Sequence, residues 1–199
     1  MSHPIQCCCG KLQGHLADIK LTNRVKCYCR DCQAFAHFLG DSGAILDRLG
    51  GSDIVQTLPK NVSFTQGTEF LACMRLTENG LLRWYSSCCN TPIGNTLSTV
   101  KMPFIGLVHN CLKSASSPNL EPAFGGLRTQ LNTDSAKGEP KPQSVGLLPT
   151  ILRSISRIIR ARIDGSYKQT PFFSVDSDTP ITPPKVLSEQ EYADVMSQV

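Results

Sequence analysis

The sequence lacks long apolar runs and has few aromatic residues. No window reaches the roughly 18 consecutive apolar residues of a membrane-spanning helix, and residues 1–20 lack the apolar stretch of a signal peptide. We therefore expect a cytoplasmic location. Aromatic residues make up 7% of the chain and are not interleaved with basic residues in a stripe, so we do not expect nucleic-acid binding.

Cysteine, in contrast, is abundant. The 199 residues are 40% hydrophobic and 18% charged, which is typical of a globular chain with one core, but ten of them are cysteines. Disulfides would explain ten cysteines in a secreted protein. In a reducing cytosol, metal binding or thiol chemistry is the better explanation.

The first part of the chain has the pattern of a β domain. Strands are predicted at residues 54–58, 62–65, 70–76, 81–85 and 104–109. Asn79-Gly80 favours a hairpin between the third and fourth of these, because both residues tolerate positive φ. We assign residues 1–112 to a mainly β domain. Residues 113–146, rich in Ser, Pro, Gly and Lys, are interpreted as a linker-like excursion.

The last part of the chain has the pattern of two helices. Leucine and isoleucine recur every three or four residues over 147–163, which predicts an amphipathic helix ended by Gly165. Ser188 and Glu191 predict the capping box of a short terminal helix. We assign residues 147–199 to a C-terminal helical extension that packs on the β domain.

The longer helix carries four arginines and no acidic residue: Arg153, Arg157, Arg160 and Arg162. We expect its apolar face to cover the β-sheet and the acidic residues of the following segment to neutralise the arginines. Binding to an anionic membrane surface is the less favoured alternative.

The cysteines fall into three groups, and the middle one is the densest. Cys27, Cys29 and Cys32 form C-x-C-x-x-C, so a tight turn can aim three thiolates at one zinc ion about 2.3 Å away. Three protein ligands leave a fourth position open, as in catalytic zinc sites. An iron–sulfur cluster is the competing interpretation. Cys73 and Cys111, each alone in an apolar strand, are expected to be packing residues.

Three motifs in order resemble those of the glutathione-dependent formaldehyde-activating enzymes, a family that includes centromere-protein-V-like members. They are C-x-C-G from Cys7, C-x-C-x-x-C from Cys27, and an R-W-Y-x-x-C-C-x-T-P segment that begins at Arg83. The last is similar to an uncharacterised bacterial branch. The resemblance covers residues 7–96 and implies a mainly β, tent-like zinc-binding fold and carbon–sulfur lyase activity.

The resemblance also implies roles for individual cysteines. Cys27, Cys29 and Cys32 match the catalytic zinc cluster, and Cys7 and Cys9 match half of a structural zinc site. The other half departs from the family pattern, because Ser86 replaces its first cysteine, Cys89 takes the place of its second, and Cys88 is additional. Neighbouring side chains of a strand point to opposite faces, so Cys88 and Cys89 can share a metal only if the backbone turns between them. We expect Cys7, Cys9 and Cys89 to converge, with Cys88 as a possible fourth ligand and Cys8 pointing elsewhere.

The implied reaction joins formaldehyde to glutathione, so the expected cofactors are one or two zinc ions with glutathione as co-substrate. Arg30 and Arg83 are candidate partners for the carboxylates of glutathione. Asp31 or His37 would relay a proton, although a solvated acid and a packed histidine are the ordinary interpretations. Two other functions stay open: a non-catalytic zinc-binding interaction module, and a metal or thiol sensor. No protein partner can be named from the residues.

Overall fold

The computed structural model describes residues 1–112 and 119–199 and is mainly β. The strands are β1 (His3–Gln6), β2 (Gln13–Leu16), β3 (Asn23–Cys27), β4 (Ser52–Thr57), β5 (Val62–Gln66), β6 (Leu71–Arg75), β7 (Leu82–Ser86), β8 (Thr91–Thr96), β9 (Ile105–Val108), β10 (Thr129–Leu131), β11 (Phe173–Ser174), β12 (Thr179–Pro180) and β13 (Lys185–Val186). The helices are α1 (Arg30–Phe38), α2 (Ser42–Ile45), α3 (Glu121–Phe124), α4 (Leu147–Ile163) and α5 (Glu189–Met196).

Two sheets dominate the architecture. The large sheet has eight strands in the order β10-β3-β4-β9-β8-β7-β6-β13, and the small sheet has the order β1-β2-β5. The neighbours inside the large sheet pair antiparallel, whereas the outermost pairs, β10 with β3 and β13 with β6, are parallel.

The large sheet separates two cores, because successive side chains of a strand face opposite sides. On β6, Cys73 faces the core shared with the small sheet, and Met74 faces the core shared with α1 and α5. Trp84 lies fully buried in the first core, and its indole N–H donates to the Thr96 hydroxyl at 3.0 Å. Phe35 of α1 lies in the second core.

The strand predictions for the first part of the chain are confirmed within about two residues at each end. The predicted hairpin is also present, since β6 pairs antiparallel with β7. Its physical basis differs from the expectation, because neither Asn79 nor Gly80 has a positive φ. The connection is instead a longer loop, in which the Gly80 N–H donates to the Thr77 carbonyl at 3.0 Å.

The later segments add strands to the same sheet. Residues 119–146 contribute β10, whose Leu131 carbonyl accepts from the Tyr28 N–H at 3.0 Å. Residues 147–199 contribute β13 at the opposite edge. The three-part division drawn from the sequence stays a prediction, and residues 113–118 of the predicted excursion lie outside the described residues.

Both C-terminal helices occur where the sequence predicts them. Gly165 follows α4 with φ 74°, and α5 begins with the predicted capping box between Ser188 and Glu191. None of the described helices is both long and apolar enough to cross a membrane.

The expected orientation of α4 was wrong. The helix packs through a stripe of mostly small side chains that includes Thr150, Ser154 and Ala161, while its leucines and most of its isoleucines face outward. The expected neutralisation was also wrong. In residues 1–112 and 119–199 none of the four α4 arginines forms an ion pair with an acidic residue.

The small sheet depends on a close backbone contact at Gly14. A Cβ atom on Gly14 would lie 2.1 Å from the Ser63 carbonyl oxygen of the neighbouring strand. We predict that Gly14→Ala lowers the free energy of unfolding by about 1–3 kcal/mol, measured by urea denaturation. The control is Gly43→Ala in α2, where a Cβ would meet no atom within 4 Å. Equal stability of the two variants would contradict this packing.

Candidate functional site

The C-x-C-x-x-C motif forms a compact group of three sulfurs, which we call the triad. The Sγ atoms of Cys27, Cys29 and Cys32 all lie within 4.8 Å of one another, and those of Cys27 and Cys29 are 3.4 Å apart. Cys27 and Cys32 are buried, and Cys29 is half-buried. The sequence prediction that these three sulfurs converge is confirmed.

Local structure explains the convergence. Cys27 ends β3, Cys29 is the extended N-cap of α1, and Cys32 lies in the first turn of that helix. The Cys32 N–H donates to the Cys29 carbonyl at 3.0 Å, which closes the turn. The positive end of the α1 dipole therefore lies beside the sulfurs and favours their thiolate form.

The pKa shifts of the three triad thiols indicate that the cluster lacks a positive charge. Hydrogen bonds from the Cys29 and Cys32 thiols lower the pKa of Cys27, while these contacts with Cys27 raise the pKa of Cys29 and, together with burial, that of Cys32. The opposite directions of these pKa shifts show that a thiolate at Cys27 disfavours ionisation of its two neighbours. Three thiolates at this separation need a cation to offset their repulsion.

Sequence reasoning missed two residues that support the triad. The Asn132 side-chain amide donates to Cys27 Sγ at 3.5 Å, from a position just after β10. Gln33 is buried, and its amide holds the triad loop by donating to the Tyr28 carbonyl at 2.8 Å and to the Ser135 carbonyl at 3.0 Å. A weak signal for Asn132 is its residue type, since Asn tolerates the left-handed conformation (φ 54°) found there.

The first and third cysteine groups form a second cluster, which we call the tetrad. The Sγ atoms of Cys7, Cys9, Cys88 and Cys89 lie within 4.8 Å of one another. The Sγ atoms of Cys9 and Cys88 are 3.2 Å apart, and those of Cys7 and Cys88 are 3.8 Å apart. The expected convergence is confirmed, and Cys88 is the fourth member.

A backbone turn brings Cys88 and Cys89 to the same side. Residues 87–90 form this turn, and Asn90 has φ 53°. Ser86, which occupies the position of the absent cysteine, is buried with its hydroxyl 3.0 Å from Cys88 Sγ. Cys8 lies outside the tetrad, exposed, as expected.

The tetrad thiols also have shifted acidities. Burial opposes ionisation of Cys89, but hydrogen bonds, first from the Thr91 hydroxyl at 3.2 Å, lower its pKa to about 5. At Cys7, burial opposes ionisation, but hydrogen bonds from the Leu12 N–H at 3.2 Å, from Ser86 and from Cys9 together lower the pKa. The thiolate form is therefore favoured at Cys7 and at Cys89.

Both clusters fit one metal ion each by the chemistry of their donors. Thiolates are soft ligands that suit zinc, and four of them form a closed site whereas three leave one position open. Cys27, Cys29 and Cys32 would hold one ion, and Cys7, Cys9, Cys88 and Cys89 the other. Of the three cysteines outside the clusters, Cys73 and Cys111 are buried packing residues as predicted, and burial raises the pKa of both thiols.

The two candidate arginines occupy different environments. Arg30 is exposed at the start of α1. Arg83 is 1% exposed; its guanidinium donates to Asn95 at 3.3 Å and to Asp31 at 3.4 Å, and it lies 5.4 Å above the Phe35 ring. Arg83 therefore holds the start of α1 against β7 and β8.

Comparison with known proteins assigns a family to the chain. Residues 1–174 match the Family of unknown function (DUF6151). The chain belongs to this family. No curated protein matches it. Among solved structures, a crystal structure of a Rhodobacter sphaeroides protein is similar at 12% identity, with a TM-score of 0.39, over 65% of this chain and 99% of that one.

We predict that the purified protein binds one zinc ion at each cluster. Cys29→Ser and Cys88→Ser should each lower the zinc content by about one ion, because each removes a thiolate from a different cluster. Elemental analysis of protein purified under reducing conditions measures this. Cys8→Ser is the matched control and should leave the zinc content unchanged. An unchanged content in Cys88→Ser would show that Cys88 is not required to hold zinc at the tetrad.

The hydrogen bond from Asn132 to Cys27 leads to a separate prediction about zinc affinity at the triad. Asn132→Gly keeps the left-handed backbone accessible but removes the amide donor, so we expect zinc affinity at the triad to fall about 10- to 100-fold. Competition with a chromophoric chelator measures the affinity. Asn79→Gly, in the loop between β6 and β7, is the control. Equal affinities in the two variants would remove Asn132 from the site.

Proposed function

We propose that this protein is a zinc-dependent carbon–sulfur lyase of the formaldehyde-activating type, acting on a small thiol adduct such as S-hydroxymethylglutathione. The observation that carries the proposal is the difference between the two clusters. In the described residues no further Cys, His, Asp or Glu joins the triad, whereas the tetrad has four ligands. Such a pair is typical of one substrate-binding and one structural zinc site.

The resemblance of three ordered motifs to the formaldehyde-activating enzymes supports the same function. Their cysteines are the residues that make up the two clusters. The two sheets, which the tetrad ties together, would then correspond to the tent-like fold of those enzymes, which is part of the proposal.

The proposed reaction is reversible addition of a thiol to an aldehyde. The glutathione sulfur bonds to the formaldehyde carbon, the carbonyl π bond breaks, and the thiol proton ends on the new hydroxyl oxygen. A zinc ion held by Cys27, Cys29 and Cys32 would supply a position where the substrate sulfur is held as a thiolate. Asp31, with its side chain 54% exposed beside the triad loop, would pass the proton.

The arginines would have unequal roles in this reaction. Arg30 is exposed next to the triad and is available for a glutathione carboxylate. A direct role for Arg83 in glutathione binding stays a prediction that requires its guanidinium to leave Asn95 and Asp31. Its contacts support a positioning role instead. Because the triad needs free thiols, the proposal includes a reducing, cytoplasmic location.

A non-catalytic zinc-binding module is the second candidate. The observation in its favour is burial, since Cys27 is only 7% and Cys32 only 8% exposed, which limits access to the triad. A metal or thiol sensor would use the same three sulfurs.

Exchange spectroscopy by NMR tests the lyase proposal. We expect the zinc-loaded protein to accelerate the interconversion of formaldehyde plus glutathione with their adduct, and Cys29→Ser to abolish the acceleration because it removes a triad ligand. Cys8→Ser should match the unaltered protein. Equal rates for the unaltered protein and Cys29→Ser would reject the lyase and leave the zinc-binding module.

A further inference from the structure

The outward face of α4 is the largest set of exposed apolar side chains in one element. The helix displays seven large hydrophobic side chains at 39–82% exposure: Leu147, Leu148, Ile151, Leu152, Ile155, Ile159 and Ile163. At about 100° per residue, most of them centre opposite the stripe through which α4 packs. Contiguous exposed apolar surface of this kind marks an interaction site.

The packed side of α4 is fixed to the protein by polar contacts. The Asn23 amide donates to the Ser154 hydroxyl at 3.1 Å, and Arg162 donates to the Lys101 carbonyl at 3.0 Å. These contacts hold the helix on the surface between Ser154 and Arg162, about 12 Å of its length of about 25 Å. The apolar stripe therefore faces outward because of how the helix is anchored.

The positive charge of α4 indicates what kind of surface could cover its apolar stripe. The helix has four arginines and no acid, and no ion pair in the described part of the chain involves them. Arg153 also lines a surface depression of about 260 Å³ together with Arg128. Burial first, and then the nearby Arg153 and Arg128, lower the pKa of Arg157. The acid at the helix end is Asp164, near Arg160.

We propose that α4 binds the surface of an anionic phospholipid membrane, lying in the plane of the interface with its apolar stripe inserted and its exposed Arg153 and Arg160 at the phosphates. An apolar stripe beside unneutralised arginines is the pattern of interfacial helices. A second copy of the chain fits less well, because a two-fold contact would bring two sets of arginines together. A lipid surface also adapts to a single convex helix, which offers no groove to a protein partner.

Vesicle flotation tests the proposal with the full-length, zinc-loaded protein. We expect binding at physiological salt to vesicles of phosphatidylcholine mixed with phosphatidylglycerol, and not to phosphatidylcholine alone. The double variant Leu152→Gln with Ile159→Gln should weaken binding at least tenfold, because it removes apolar side chains without changing charge. Arg153→Gln and Arg160→Gln should weaken it about fivefold per arginine.

Matched controls distinguish membrane binding through α4 from binding through other exposed residues. Leu21→Gln, at a residue 55% exposed outside α4, and Lys11→Gln should bind like the unaltered protein. Zinc content and circular dichroism establish that each variant is folded. The proposal is overturned by no binding at physiological salt, by equal binding to both vesicle types, or by unchanged binding of the α4 variants. It is also overturned if α4 mediates a lipid-free dimer in analytical ultracentrifugation.

Discussion

The repulsion between crowded thiolates is the constraint on which this structure depends. Seven sulfurs are held in two clusters, each with its members within 4.8 Å of one another. Protonated thiols gain little from such crowding, and thiolates oppose it unless a cation lies between them. The fold therefore brings together two groups of sulfurs that could each hold a metal ion, and binding there would be coupled directly to the stability of the chain segments that meet at each group.

These segments come from distant parts of the sequence. The tetrad joins the β1–β2 connection to the turn after β7, and so ties the small sheet to the large one. The triad lies where β3 passes into α1, with Asn132 added from the end of β10. Each cluster thus lies at a junction between elements, and the two junctions differ in that only the tetrad has a set of four sulfurs.

The sequence predicts features that depend on neighbouring residues, such as motif spacing and helix periodicity. It does not predict features that depend on tertiary contacts between distant segments. C-x-C-x-x-C places three sulfurs within one turn, so the triad follows from spacing. The membership of Cys88 depended on a turn, and Asn90 with its positive φ is the residue that permits it. The contact of Asn132 with Cys27 was not predictable, because only the pairing of β10 with β3 brings the two residues together. For α4, periodicity gave the helix and its apolar stripe correctly, but periodicity does not say which stripe touches the sheet.

The two rims of the large sheet are very short strands that run parallel to their neighbours. β10 has three residues and β13 has two, so each offers few unpaired backbone groups to another chain. Without them, the five-residue strands β3 and β6 would become the rims. Longer open rims invite strand addition from other molecules and aggregation. The strands β10 and β13, which come from the later part of the chain, thus protect the edges of the large sheet against the addition of strands from other molecules.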